Sequence, residues 1–225
     1  MWQAFRSVYG KRVRRITGKG PVETPQIVEE LLRNHAMDYD VLGGHVRYGI
    51  GRNCSVRPYN YFTVLRDPTS VVLSRYYKKQ IPEVQDRKAN MKPGSFEENK
   101  KRIKQRIDMP TEKFVQKNKN VLVRFLCCTE NPKEMTRRHL EEAKEYLSRD
   151  YLCYGIVERY SESMKLIAKT LGWEHVPQVE LRNKGGNRPP KYDPELLEFG
   201  REVNALDYEL YDFAQKLFDD KLSAL

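Results

Sequence analysis

The chain has 225 residues, a formal net charge of +10 and 39% hydrophobic residues, a length and apolar content that permit a packed core and argue against intrinsic disorder. Its four cysteines are too few for a disulfide scaffold and lack the paired spacing of a zinc site, so we expect buried, reduced thiols. No apolar run is long enough to predict a membrane span or a signal peptide, and the charge predicts attraction to polyanions without choosing among a nucleotide, a sulfated polysaccharide, nucleic acid and an anionic membrane.

Hydrophobic periodicity predicts strands that alternate with helices along the chain. The strands are expected at about 39–42, 60–65, 121–126 and 152–157. The helices are expected at about 22–34, 68–80, 95–107, 132–148, 161–171 and 194–219, with Asn131-Pro132 as the entry to the fourth and Ser163 facing outward on the fifth. This alternation predicts an α/β fold with a mostly parallel central sheet flanked by helices, and one domain over residues 1–225 is the simplest organisation.

The segment from Tyr61 to Tyr77 is the most informative part of the chain. An apolar strand runs into Arg66-Asp67-Pro68 and then into a helix, for which Asp67 is a good N-cap and Pro68 a good first residue. Ligands of parallel sheets bind beyond the carboxyl ends of strands, so Arg66 is expected beside a helix N-terminus whose free N–H groups and dipole favour a phosphate. Ser74 falls on the same helical face as Asp67, so its hydroxyl is predicted to face the same pocket. A plain turn in which Arg66 pairs with an acid remains the structural alternative.

A histidine after two glycines is the candidate general base. His45 follows Gly43-Gly44, and an imidazole can take a proton from a sugar hydroxyl near neutral pH. The two glycines are expected to let the backbone pass close to a substrate. A loop histidine without a catalytic role is the alternative.

Four further segments accompany this junction: residues 40–48 around Gly44-His45-Val46, residues 154–163 with Gly155 and Glu158-Arg159, the basic loop at 181–189, and residues 204–211 in the last helix. Together they resemble sulfotransferases that use 3′-phosphoadenosine 5′-phosphosulfate (PAPS), and the group of heparan and uronyl 2-O-sulfotransferases in particular. The resemblance implies a P-loop-NTPase-like fold, a carbohydrate acceptor and no metal. It also implies that Arg66 and Ser74 hold the 3′-phosphate, that His45 is the catalytic base, and that Lys184 and Arg188 contact the nucleotide. Some of these enzymes carry a second histidine where this chain has Gly43, which leaves the acceptor open.

One family element is expected to be missing. Relatives begin with a strand, a Pro-Lys-x-Gly/Ala-x-Thr-Ser type loop around the 5′-phosphosulfate, and a helix. Gly18-Lys19-Gly20 is the nearest candidate here, but Ile16-Thr17 is expected to be too short for a strand, and Pro21 with Pro25 is expected to break the helix. The sequence therefore predicts a domain without its first β-loop-α unit and with weakened turnover.

The sequence thus predicts transfer of a sulfuryl group from PAPS to a carbohydrate hydroxyl. A catalytically inactive relative that binds PAP or a sulfated glycan is one alternative, favoured by the missing loop. A basic nucleic-acid-binding protein is the second, supported by charge alone, and we do not expect nucleic acid as a partner. The chain as it stands is expected in the cytoplasm, or in the Golgi lumen if a preceding membrane anchor exists.

Overall fold

A computed structural model describes residues 1–16, 23–50, 54–90, 94–127, 134–178 and 191–224. The chain divides into two compact units. The first, which we call the α/β unit, comprises Met1–Leu65, Leu122–Glu180 and Glu209–Leu225. The second, the helical unit, comprises Arg66–Val121 and Leu181–Tyr208. The organisation as a single domain stays a prediction.

Helices make up most of the described chain. In chain order they are α1 (Trp2–Tyr9), α2 (Glu23–Asn34), α3 (Pro68–Lys79), α4 (Pro82–Asn90), α5 (Phe96–Ile107), α6 (Thr111–Lys117), α7 (Val121–Leu126), α8 (Arg137–Arg149), α9 (Tyr160–Thr170), α10 (Pro194–Val203) and α11 (Ala205–Ser223). Short 3-10 turns occupy Gly10–Arg12 and Val157–Arg159. Among the helices of the described ranges, none has both the length and the apolarity that crossing a membrane requires.

The strands of the described residues all belong to the α/β unit. They are β1 (Val13–Ile16), β2 (Val41–Gly44), β3 (Tyr61–Leu65) and β4 (Tyr151–Ile156). β1 pairs with β2, and β3 pairs with β4, in parallel in both cases. The α/β class and the parallel pairing are therefore confirmed, but within the described residues the strands form two two-stranded sheets and not one central sheet.

Parallel neighbours need a crossover that returns the chain to the same end of the sheet. Between β1 and β2 this crossover contains α2. Its Val28, Leu31 and Leu32 share one face at helical spacing and pack with Ile16 of β1 in a buried cluster. The apolar face of α2 thus covers the sheet formed by β1 and β2.

A second buried cluster joins α1 to both sheets of the α/β unit. It contains Phe5, Val13, Val41, Cys153 and Ile167. The Phe5 ring lies 4.7 Å from the ring of Phe62 and 5.2 Å from that of Trp173, measured between centroids. Aromatic contacts of this kind make α1 part of the core.

The helical unit is organised around α3. Val72 and Leu73 of α3 are fully buried, as is Val115 of α6. The Tyr76 ring lies 5.3 Å from that of Phe114, so the aromatic residues after Ser74 serve, at least in part, to pack helices together.

The predicted strand at 121–126 is wrong, because these residues form α7. Leu122 and Val123 are buried, Arg124 and Phe125 are partly exposed, and the next two residues are buried again. That is the period of a helix, whereas a strand would alternate at every residue. A short apolar run does not by itself distinguish a strand from a buried helical turn.

Two expectations about the start of the chain are also wrong. Ile16 ends a four-residue strand, and Pro25 lies in the first turn of α2 without breaking it. In the first turn the missing proline N–H removes no intrahelical hydrogen bond. Gly18-Lys19-Gly20 lies outside the described residues, so the absence of the first β-loop-α unit stays a prediction.

Two predicted helix boundaries are corrected. The helix expected from residue 132 begins at Arg137, where Thr136 is the N-cap and exchanges hydrogen bonds with His139. The helix expected over 194–219 is two helices, α10 and α11, separated at Asn204. Asn204 is fully buried, and its Nδ2 donates to the Gly200 carbonyl oxygen at 2.7 Å. This side-chain hydrogen bond satisfies a carbonyl group of the last turn of α10.

Candidate functional site

The junction between β3 and α3 has the local structure that the sequence predicts. β3 ends at Leu65, Arg66 follows it directly and is the first residue of the helical unit, and α3 begins at Pro68. The Asp67 side chain caps the helix, its Oδ1 accepting from the Ser70 backbone N–H at 2.7 Å. The cap and the proline together fix where the helix begins, and therefore where Arg66 leaves the strand.

The N-terminus of α3 is closed by Tyr208, which sequence reasoning did not identify. The Tyr208 hydroxyl donates to Asp67 Oδ2 at 2.8 Å and lies 3.0 Å from Thr69 Oγ1. Burial raises the pKa of Tyr208, and the hydrogen bond to Asp67 adds to that rise.

The contacts at the start of α3 occupy some of the N–H groups that were expected to favour a phosphate. The Ser70 N–H donates to the Asp67 side chain, the Val71 N–H donates to the Asp67 carbonyl oxygen, and Pro68 has no N–H. The Asp67 carboxylate also places a negative charge at the helix end, where it offsets the positive end of the helix dipole. Fewer N–H groups are thus left for a phosphate than a bare helix end would offer, and Arg66 is the cation that the sequence provides there.

Ser74 lies on the more accessible side of α3. Ser70, Val71 and Ser74 are partly exposed, and Arg66 is partly exposed as well. The opposite side of the helix is buried at Pro68, Thr69, Val72 and Leu73. The face that the sequence predicts for Ser74 is thus partly exposed, and the binding role of Ser74 together with Arg66 stays a prediction.

His45 belongs to the α/β unit and is exposed directly after β2. Its ring centroid lies 6.3 Å from that of Phe125 on α7. A strand end and an exposed ring suit a base that must reach a hydroxyl in a ligand. The catalytic role of His45 stays a prediction.

The two glycines before His45 are explained by packing. A Cβ atom at Gly43 would lie 2.7 Å from Cζ3 of Trp2, and one at Gly44 would lie 2.5 Å from the Ile16 carbonyl oxygen. Neither distance accommodates a side chain without movement. Close contact with Trp2 and with β1 thus accounts for the two glycines, and the approach of their backbone to a substrate stays a prediction.

Two arginines near His45 were missed by sequence reasoning. Arg47 follows His45 by two positions, and Arg124 lies on α7 beside Phe125. The Tyr48 backbone N–H donates to the Phe125 carbonyl oxygen at 2.9 Å, which joins the two segments. Because residues 121–126 were predicted to form a strand, the sequence provided no reason to expect Arg124 near the segment that contains His45.

The segment after β4 holds itself together by internal contacts. Ser163 is fully buried, contrary to the outward position that was predicted, and its Oγ donates to the Ile156 carbonyl oxygen at 2.9 Å. Glu158 accepts from the Tyr211 hydroxyl at 2.8 Å, and Arg159 Nε donates to Glu162 at 2.8 Å. The residues that carry part of the resemblance thus stabilise the α/β unit.

The remaining predicted nucleotide contacts, Lys184 and Arg188, lie outside the described residues. Of the predicted site residues, Arg66 and Ser74 belong to the helical unit and His45 to the α/β unit. Comparison of the chain with models of known protein families finds no match, and comparison with curated proteins finds none either.

Proposed function

We propose that this protein binds PAPS and transfers its sulfuryl group to a hydroxyl of a carbohydrate. The observation that carries the proposal is the junction at which β3 ends, Arg66 follows, Asp67 caps α3 and Ser74 lies on the partly exposed side of that helix. Parallel strand pairing, with Arg66 directly after a strand, supports the finer proposal of a P-loop-NTPase-like sulfotransferase fold.

The proposed chemistry needs positioning and charge and no covalent intermediate. The acceptor oxygen attacks sulfur in line, the bond from sulfur to the phosphate oxygen of PAP breaks, and His45 takes the proton of the attacking hydroxyl. Arg66 and Ser74 bind the 3′-phosphate, Arg66 through charge-assisted hydrogen bonds and Ser74 through its hydroxyl. Lys184 and Arg188 are proposed to add positive charge around the nucleotide. As in phosphoryl transfer, most of the rate is expected from this alignment and from charge stabilisation.

The first test is calorimetric titration of the whole chain with PAP, which carries both a 3′- and a 5′-phosphate. Arg66→Ala removes a charged hydrogen-bonding partner worth about 1.5–3 kcal/mol, so we expect affinity to fall by about 10- to 100-fold. Ser74→Ala is expected to lose less. Lys78→Ala is the matched control, because Lys78 is an exposed cation in the last turn of the same helix.

The ligand itself provides a second comparison. AMP lacks the 3′-phosphate, so it should bind more weakly than PAP to the wild-type chain and equally to wild type and Arg66→Ala. Equal affinity of wild type and Arg66→Ala for PAP, with both proteins folded, would contradict the assignment of Arg66.

Transfer distinguishes an enzyme from an inactive binding protein. If His45 is the base, His45→Ala keeps PAP affinity and abolishes sulfuryl transfer to a polysaccharide acceptor. PAP binding without transfer by the wild-type chain would support the inactive alternative, which the predicted loss of the first loop favours.

Nucleic-acid binding rests on the net charge of +10. It would be recognised by strong, salt-dependent affinity for any duplex that Arg66→Ala leaves unchanged. PAP binding that depends on Arg66 would count against it.

A further inference from the structure

A cavity in the α/β unit opens between the end of α1 and the residues that follow α9. It has a volume of about 520 Å³ and is lined by residues 7–9 and 171–175 and by Pro177, all of which belong to this unit. That volume lies within the range of about 300–1,000 Å³ that is usual for small-molecule sites. None of the described residues proposed for PAPS binding or for catalysis lines it.

The end of α9 fixes the backbone of Trp173 in the cavity wall. Gly172 has a φ of 66°, a left-handed conformation that glycine adopts without strain. With the chain turned in this way, the Gly172 N–H donates to the Lys169 carbonyl oxygen at 3.2 Å and the Trp173 N–H to the Ala168 carbonyl oxygen at 2.8 Å. These are the two hydrogen bonds of a Schellman motif, so Trp173 takes its place as soon as the helix ends.

The indole of Trp173 is held by two rings of α1. Its Nε1 donates to the Tyr9 hydroxyl at 2.9 Å, and the buried Phe5 ring packs edge-on against it at 5.2 Å between centroids. The Tyr9 ring lies 6.1 Å from the indole at an angle of 68°, and both residues are partly exposed. Two fixed aromatic rings thus form an apolar wall that needs no rearrangement to receive a ligand.

Polar groups beside this wall can bind hydroxyl groups. The Tyr9 hydroxyl accepts from Trp173 and keeps its own proton for another acceptor. Glu174 and His175 are exposed and line the cavity, where the carboxylate accepts hydrogen bonds and the imidazole donates or accepts them. A pyranose ring has one apolar C–H face and hydroxyl groups around its edge, which matches this combination of aromatic faces and mixed donors and acceptors.

The charge of the lining favours a neutral ligand. The chain has 41 lysine and arginine residues, yet none of the described lining residues is one of them, and Glu174 contributes a negative charge. An anionic ligand would be repelled by Glu174 without a compensating cation. The net charge of +10 disfavours a cationic ligand.

We propose that this cavity binds a neutral saccharide, with the sugar ring against Tyr9 and Trp173 and its hydroxyl groups hydrogen-bonded to Glu174 and His175. The site goes beyond sulfuryl transfer, because its residues are distinct from those proposed to bind PAPS. Its test needs neither PAPS nor PAP.

Neutral disaccharides test the site directly. The whole chain is titrated calorimetrically with maltose, cellobiose, lactose and N,N′-diacetylchitobiose, and at least one should bind saturably. The affinity should be the same in about 50 mM and about 500 mM sodium chloride, because a neutral ligand has no charge for salt to screen. In NMR spectra the indole N–H signal of Trp173 should shift during the titration and that of Trp2 should not, and Trp2→Phe assigns the two signals. Absence of saturable binding of all four disaccharides would overturn the proposal.

Two substitutions at exposed positions locate the binding. Glu174→Gln keeps the shape of the side chain and should weaken binding by about fivefold or more, because hydrogen bonds to charged groups are stronger than those to neutral groups. Val8→Phe enlarges a side chain that is 41% exposed in the cavity wall, and it should weaken binding by about tenfold or more because it fills part of the space.

Glu30→Gln is the matched control, since Glu30 is an exposed glutamate of α2 in the same unit, and it should keep the wild-type affinity. Because all three positions are exposed, the Tm of each variant should equal that of wild type. Equal saccharide affinity in wild type, Glu174→Gln and Val8→Phe would overturn the proposal.

Tetramethylammonium tests a cationic ligand, because aromatic rings beside a carboxylate can also bind a cation. Binding of tetramethylammonium that Glu174→Gln abolishes, with no disaccharide bound, would assign the cavity to a cation and overturn the saccharide site. Failure of the chain to bind PAP would count against the proposed function alone, since the disaccharide titrations judge this cavity independently.

Discussion

At the scale of single residues, Gly43 and Gly44 each have a neighbour that occupies the space of a side chain, and the two neighbours differ. The Trp2 ring approaches Gly43, and the backbone of β1 approaches Gly44 at Ile16. A ring at the end of a side chain can be replaced, but a strand backbone cannot move without loss of its ladder. The two positions therefore respond differently to the same substitution.

We expect Gly43→Ala and Gly44→Ala each to lower the free energy of unfolding by about 1–3 kcal/mol, because each adds a methyl group to a filled space. Trp2→Leu removes the ring that Gly43 contacts. In that background Gly43→Ala should cost almost nothing, while Gly44→Ala should keep its full cost. Urea unfolding of the single and double variants measures both, and equal rescue at the two positions would contradict the distances to Trp2 and Ile16.

Residues whose partners are near in sequence were predictable, and residues with distant partners were not. Asp67 and Pro68 were identified as cap and first helical residue because both roles depend on the next few residues. Tyr208, which completes that cap, lies 141 positions away, and nothing local relates it to Asp67. Arg124 escaped notice for the same reason, since its relation to Arg47 depends on the packing of α7.

At the scale of elements, strong local signals located β3, α3 and β4 to within a residue or two. β1 was missed because two exposed arginines separate its two buried residues, Val13 and Ile16, which leaves no alternation to detect. α7 was mistaken for a strand because its β-branched residues favour that structure. In both cases burial by the rest of the fold decided the outcome.

The helical nature of α7 can be tested by alanine substitution. Leu122 and Val123 are adjacent and both buried, so Leu122→Ala and Val123→Ala should each lower the free energy of unfolding by about 2 kcal/mol or more. Arg124→Ala should change it by less than about 0.5 kcal/mol. Denaturant unfolding provides the values, and a strand would instead show large and small losses at alternate residues.

At the scale of the whole molecule, the buried core contains thiol and phenol groups whose burial favours the protonated form. The expected burial of thiols is confirmed for Cys127 and Cys153, whereas Cys54 is partly exposed. Burial raises the pKa of Cys153 from 9.0 to about 11, with Lys221 opposing the rise. Burial raises the pKa of Tyr151 and Tyr154 as well. Because the folded pKa is the higher one, these groups stabilise the fold fully below their unfolded pKa and lose that effect as pH rises.

For Cys153 the window runs from about pH 9 to about pH 11. The free energy of unfolding of wild type should fall between these two pH values. In Cys153→Ala the fall should be smaller, by on the order of 2 kcal/mol at pH 11. Cys153→Ala is also expected to be less stable than wild type at pH 8, because it leaves a small cavity. The free energy of unfolding is measured in urea at pH 8 and at pH 11. Cys54→Ala is the control, and its fall in free energy between the two pH values should equal that of wild type. An equal fall in Cys153→Ala would contradict the role of the thiol.

The contact between Asp67 and Tyr208 affects when the start of α3 can reach its final structure during synthesis. The ribosome synthesises α3 well before Tyr208, which lies 141 positions after Asp67, so α3 first forms with the Asp67 cap alone and gains the Tyr208 hydroxyl later. Contacts between distant positions also slow folding, because a long loop must close before they contribute. The start of α3, next to Arg66, thus reaches its final form only after Tyr208 has been synthesised.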